Sequence, residues 1–119
     1  MNSGRPRPQR GEIWFVYDPA PPAQGHEQAE PRPALVVSAD WFNSSGPNLL
    51  TIVPLTTQRH ESSMHLEIRP PEGGVRRTSF ILCEQPTTIS HLRLRARWGR
   101  VAPATMRQVN VRLRTLLEL

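Results

Sequence analysis

The chain has 119 residues, one domain's worth, with 37% apolar and 21% charged residues, a balance that leaves room for a modest core. Its 13 prolines, about twice the usual share of roughly 5%, argue against a helical bundle and for short strands joined by turns. Fifteen arginines, no lysine and a net charge of +5 make polyanions the first partners to consider.

Residues 1–10 (MNSGRPRPQR) are polar and basic and read as a flexible N-terminal tail preceding one domain over residues 11–119. They lack the apolar core of a signal peptide, and no later run approaches the ~18 apolar residues of a membrane span. A cytoplasmic chain is therefore expected. Glu12–Tyr17 (EIWFVY) is β-branched and aromatic, a strand. Asp18–Pro31 holds four prolines and Gly25, and is too broken for any element; a loop of that length in a small domain is functional or disordered. Pro33–Ser38 reads as a buried strand, 39–47 as a turn with a brief helical start, and Leu49–Val53 as a second buried strand closed by Pro54.

Met64–Arg69 alternates strictly, the mark of a half-exposed strand, and 70–74 is a turn. Thr78–Cys83 is a strand, Thr87–Ile89 extends the sheet, and Arg93–Val101 is the last strand. From Pro103 the period changes. Met106, Val109, Leu113, Leu116 and Leu117 fall on one face of a terminal helix, with Pro103 suited to its first turn. About six short strands followed by one helix predict a mainly β domain built on a small, strongly curved sheet or barrel.

The charge is divided. Residues 1–75 carry six Arg and eight acidic residues, net −2, whereas 76–119 carry nine Arg and two Glu, net +7. A polyanion surface should draw on the second half. Cys83, the only cysteine, lies in an apolar run and is expected to be buried and inert. His26, His60, His65 and His91 show no metal-ligand spacing, so no metal and no cofactor are assigned.

Three points converge on chemistry: the loop Gly25-His26-Glu27-Gln28, Arg32 just before a buried strand, and Thr56-Thr57-Gln58 just after another. Loops and strand ends are where a rigid scaffold carries its sites. Glu27, Arg32 and Thr56 would supply a base, a cation and a hydroxyl, the parts needed to move a proton and steady charge on a phosphate. The plainer reading stands beside it, with Glu27 a solvated carboxylate, Arg32 its ion-pair partner and Thr56 a turn residue. Trp14, Trp41, Phe42 and Trp98 fit either base stacking or the core.

Arg10-Gly11-Glu12-Ile13-Trp14 followed by Asp18-Pro19, then Gly25-His26-Glu27-Gln28 through Arg32-Pro33-Ala34-Leu35-Val36-Val37, then Val53-Pro54-Leu55-Thr56-Thr57-Gln58 and Leu82-Cys83-Glu84-Gln85, resemble in order and spacing the motifs of the MazF/PemK-like toxins. The resemblance runs from about residue 10 to the C-terminus. It implies an SH3-like barrel with helices that works as a homodimer. It also implies a metal-independent endoribonuclease of a toxin–antitoxin module that cuts single-stranded RNA at a short sequence. An antitoxin (MazE-like, with an acidic tail) would block the same groove.

The family's functional residues fall on Glu27, Arg32 and Thr56. RNA contacts are expected from Trp14, His26, Gln28, Thr57, Gln58 and Gln85, and from Arg93, Arg95 and Arg97 of the basic half. Attack by the RNA's own 2′-OH would leave a 2′,3′-cyclic phosphate and a 5′-OH and would spare DNA. Either Glu27 or His26 would take the proton. A second class stays open: toxins of this fold that poison a topoisomerase by binding it, without nuclease chemistry. The loop before Pro33 is longer and richer in proline than the commoner pattern, so the cleavage sequence does not transfer.

Overall fold

The computed structural model describes residues 7–17 and 31–119. Seven antiparallel strands make the sheet: β1 Glu12–Tyr17, β2 Pro31–Val36, β3 Leu49–Thr56, β4 His65–Ile68, β5 Ser79–Leu82, β6 Thr87–Ser90 and β7 Leu94–Arg100. A short helix, α1 (Asp40–Asn43), joins β2 to β3, and α2 (Pro103–Leu117) ends the chain. The main path runs β4-β5-β3-β2-β1-β7, with β6 paired to β3 off that path. The architecture is the expected curved sheet with a terminal helix; its end strands, β4 and β7, do not meet.

β3 is the hub. One edge carries β2, while the other carries β6 along Leu49–Ile52 and β5 along Leu55–Thr56. Pro54, which has no N–H to give a ladder, stands where the partner changes from β6 to β5. The run of β3 therefore continues past the proline to Thr56, three residues beyond the strand expected from the apolar run. β7 pairs with β1 through two register shifts, which sharpen the twist.

Alternation sorts the strands' side chains onto two faces, and both faces are buried. Ile13, Leu35, Val37, Val53, Leu55 and Ile81 pack with Val109 of α2 in one cluster. Trp14, Val16, Ala34, Val36, Leu50, Ile52, Ile89 and Leu94 make the other. Of the helical face expected from its spacing, Val109 is fully buried, and Met106 and Leu113 pack against the first cluster. Leu116 and Leu117 do not join them. Both are exposed, Leu117 at 55%. Among the described residues no helix is long and apolar enough to cross a membrane.

Part of the stretch expected as a tail is packed. Pro8 is buried, and Arg10 donates to the Val37 carbonyl and to Asn110 Oδ1 while its own N–H bonds Asp40 Oδ1 at 2.7 Å. These bonds tie residues 8–10 to β2, α1 and α2, so the folded part begins before residue 11. Residues 1–6 lie outside the described residues.

Candidate active site

Arg32 and Thr56 sit at the adjoining ends of β2 and β3. The ladder pairs Val36 with Ile52, Leu35 with Val53 and Ala34 with Pro54. Arg32 and Thr56 each follow two residues beyond the last of these pairs, at the same end of the two strands. Period-2 alternation puts both on the face of Ala34, Val36 and Ile52, where Arg32 is exposed and Thr56 half-buried. The N–H of Gln58 donates to Thr56 Oγ1 at 3.2 Å, a turn that occupies one lone pair of the hydroxyl and leaves its proton to be donated elsewhere. Thr57 and Gln58 are exposed directly beyond it. Glu27, His26 and Gln28 lie outside the described residues, in the segment that leads into Arg32.

The other expected contacts divide by their surroundings. Arg95 is exposed, and its guanidinium lies 4.8 Å over the Tyr17 ring. Tyr17 pairs with Pro31, so Arg95 stands at the same end of the sheet as Arg32. Arg93 is half-buried in the 3₁₀ turn His91–Arg93. Gln85 is exposed, with its Nε2 donating to Glu84 Oε2 at 3.2 Å. Trp14 and Arg97 are tied into the scaffold instead. Trp14 is 8% exposed, and its Nε1–H donates to Glu12 Oε1 at 2.9 Å. Arg97 donates through Nε to Glu12 Oε2 at 2.7 Å. Of the remaining aromatics, Trp98 stacks on Phe15 at 5.4 Å, and Trp41 is 75% exposed.

Two carboxylates gain a role that their place in the sequence did not announce. Glu12 is buried at 5% exposure and accepts from Trp14, Arg97 and the N–H of Gln9, with Arg100 Nη2 3.6 Å away. Burial alone would raise its pKa; the hydrogen bonds from Trp14, Arg97 and Gln9 outweigh that and hold it below the usual carboxylate range. Glu84 Oε2 accepts from His65 Nε2–H across 2.9 Å. Its pKa is likewise lowered, burial being offset by the bond to His65. His65 Nδ1 and Glu84 Oε1 find no hydrogen-bond partner among the described residues. Only the spacing across the β4–β5 ladder, not the sequence, brings the two together.

A hydroxyl and guanidinium groups at one strand end can bind a phosphodiester and stabilise charge on it. Comparison with known proteins shows the family. The family described as the PemK-like, MazF-like toxin of type II toxin–antitoxin systems matches residues 9–117. Endoribonuclease PemK of Escherichia coli is 35% identical over 114 residues, covering 92% of this chain and 81% of that protein. Endoribonuclease MazF9 of Mycobacterium tuberculosis is 32% identical over 116 residues, covering 93% and 97%. Among solved structures, an endoribonuclease from a mycobacterial species superposes with a TM-score of 0.76 at 25% identity, covering 98% of this chain and 97% of that one. Another, an endoribonuclease in complex with its cognate antitoxin, gives 0.75 at 26% identity over 94% and 96%. The relatives are named endoribonucleases, and the topoisomerase-poisoning alternative finds no support among them. With its motifs, fold and nearly full-length match, the chain belongs to the PemK-like, MazF-like toxin family of type II toxin–antitoxin systems.

Proposed function

We propose that this endoribonuclease cleaves single-stranded RNA by attack of the substrate's own 2′-OH at the Arg32–Thr56 end of the sheet, and that a cognate antitoxin silences it by covering the same groove. The observation that carries the reading is the placement of Arg32 and Thr56 at adjoining strand ends, each two residues past the Ala34–Pro54 pair. Thr56 donates its hydroxyl proton to a phosphate oxygen, its lone pair being turned toward Gln58. Arg32 donates to the non-bridging oxygens as charge gathers on the phosphorane, the dominant electrostatic contribution in such reactions. A base at Glu27 or His26 takes the 2′-OH proton, a step worth about 10²–10⁴-fold. The bond from phosphorus to the 2′-oxygen forms, the bond to the 5′-oxygen then breaks, and the leaving oxygen takes its proton from water. The products are a 2′,3′-cyclic phosphate and a 5′-OH.

The reading is supported by family membership and by the antitoxin complex of a structural relative. The same membership supports a homodimer as the working unit, with Arg93, Arg95 and Arg97 contributing positive charge for RNA and for an acidic antitoxin tail. The experiment is incubation of wild type and Arg32→Ala with long unstructured RNA in EDTA, followed by mapping of the ends. Wild type should give cyclic phosphate ends at one recurring sequence, and Arg32→Ala should give none while keeping its melting profile. Full cleavage by Arg32→Ala would remove the central claim. Comparing the pH–rate profiles of Glu27→Gln and His26→Ala assigns the base to whichever substitution flattens the acidic limb, where a base is lost to protonation.

A further inference from the structure

The face that holds Thr56 continues across two more strands. Thr56 stands opposite Phe80 in the β3–β5 ladder, and Phe80 stands opposite Glu67 in the β5–β4 ladder. Directly opposed residues share a face, so the three form one row. At ~4.8 Å between strands, Glu67 lies roughly 10 Å from Thr56. Two arginines converge on the far end of the row. Arg59 Nη2 donates to Glu67 Oε1 at 2.9 Å, and Arg69 Nε donates to Oε2 at 2.8 Å. The Arg59 guanidinium also lies 4.9 Å over the Phe80 ring. Together with Thr57 and Thr78 these residues line an open cavity of about 440 Å³.

Each guanidinium has five N–H donors. Among the described residues the side-chain hydrogen bonds of Arg59 and Arg69 go to Glu67 alone. Glu67 takes one nitrogen from each, leaving the remaining donors of two exposed guanidiniums beside the cavity and a net charge of +1. That suits a single phosphodiester. Bonds from Arg69 and then Arg59 hold the Glu67 carboxyl below the usual range, so the bridge persists at neutral pH. An isolated carboxylate from a protein partner would meet the same donors. RNA is favoured because the cavity wall starts at Thr57, next to the residue on which the cleaved phosphate is placed.

We propose that Arg59 and Arg69, bridged by Glu67, form a subsite for a backbone phosphate flanking the cleaved bond, so that the RNA runs across β3, β5 and β4. The proposal rests on the nuclease reading above and adds a direction to it.

The test uses the full chain as wild type, Arg59→Gln/Arg69→Gln and Arg59→Lys/Arg69→Lys, with Arg32→Ala as a control. All are assayed for cleavage of one long unstructured RNA and for anisotropy of a fluorescein-labelled RNA carrying 2′-deoxyribose throughout its centre, which cannot be cut. The Gln pair should raise KM about tenfold, an effect on binding rather than on kcat. It should also make the slope of log affinity against log salt shallower by about 0.7 for each phosphate no longer neutralised. The Lys pair should recover the salt slope but only part of the affinity, because an ammonium lacks the planar fork. Unchanged KM and unchanged slope in the Gln pair would overturn the subsite, and weaker affinity for an acidic antitoxin in that case would assign the cluster to protein. A fall in kcat with KM unchanged would also overturn it. If wild type bound the labelled RNA but cut nothing, the nuclease reading would fail, and the anisotropy series would still decide the subsite.

Discussion

Arg32 on β2 and Thr56 on β3 each lie two residues beyond Ala34 and Pro54, the last pair of the β2–β3 ladder. Twenty-four positions separate them in the chain, and the antiparallel pairing of β2 with β3 brings their strand ends together. The consequence is a cation and a hydroxyl presented on one face of a rigid sheet, at the end where the 18–30 segment enters β2. Preorganised donors of this kind cost little rearrangement when charge develops on a substrate.

Thr56→Val should lower the single-turnover cleavage rate by about 10²-fold, the typical cost of losing one preorganised donor, while valine's preference for strands keeps the fold. Thr56→Ser should retain most of the rate. Quenched cleavage assays at saturating enzyme would read both, and a Thr56→Val rate within twofold of wild type would remove the hydroxyl from the mechanism.

Glu12 makes its contribution to stability in the ionised form. Its pKa is lower in the folded protein than in the unfolded chain, so the unfolded state binds more protons as the pH falls. The stabilisation is whole above about pH 5 and is lost as pH drops through the folded-state value. Glu12→Gln should cost about 1–3 kcal/mol at neutral pH. It should also flatten the acid side of a stability curve measured by urea titration between neutral and acid pH. Arg97, half in solvent, keeps the expected loss toward the lower figure.

Burial pushes the Cys83 thiol up to about 11. It sits at 0% exposure on the face of Ile81 and Leu55. Iodoacetamide at neutral pH should therefore leave the folded chain unmodified for hours and alkylate it completely in denaturant. Mass spectrometry of the two samples checks this, and rapid modification of the folded protein would contradict the packing.

Gly74 adopts φ +81°, and a Cβ there would collide with the backbone carbonyl of Trp98. Gly74→Ala should cost about 2–3 kcal/mol from backbone strain and displacement of β7. Gly46, with nothing within 4 Å, is the control; Gly46→Ala should stay within about 0.5 kcal/mol. Urea midpoints of the two variants give the comparison.

Much of this protein is legible in its residue order. The β-branched run 12–17 forms β1 with those bounds, strict alternation marks β4, and the change of period at Pro103 marks α2. These are local signals, set by which side chains a strand or helix can bury. The family motifs likewise name Arg32 and Thr56. What only tertiary structure decided is pairing. Register brought the strand ends of Arg32 and Thr56 together, and it aligned Thr56, Phe80 and Glu67 in one row. It also tied Trp14 and Arg97 to Glu12 and left Leu117 exposed. A strand's sequence states which faces are apolar, but not which strand lies beside it. A one-residue slip in that pairing would reverse every face.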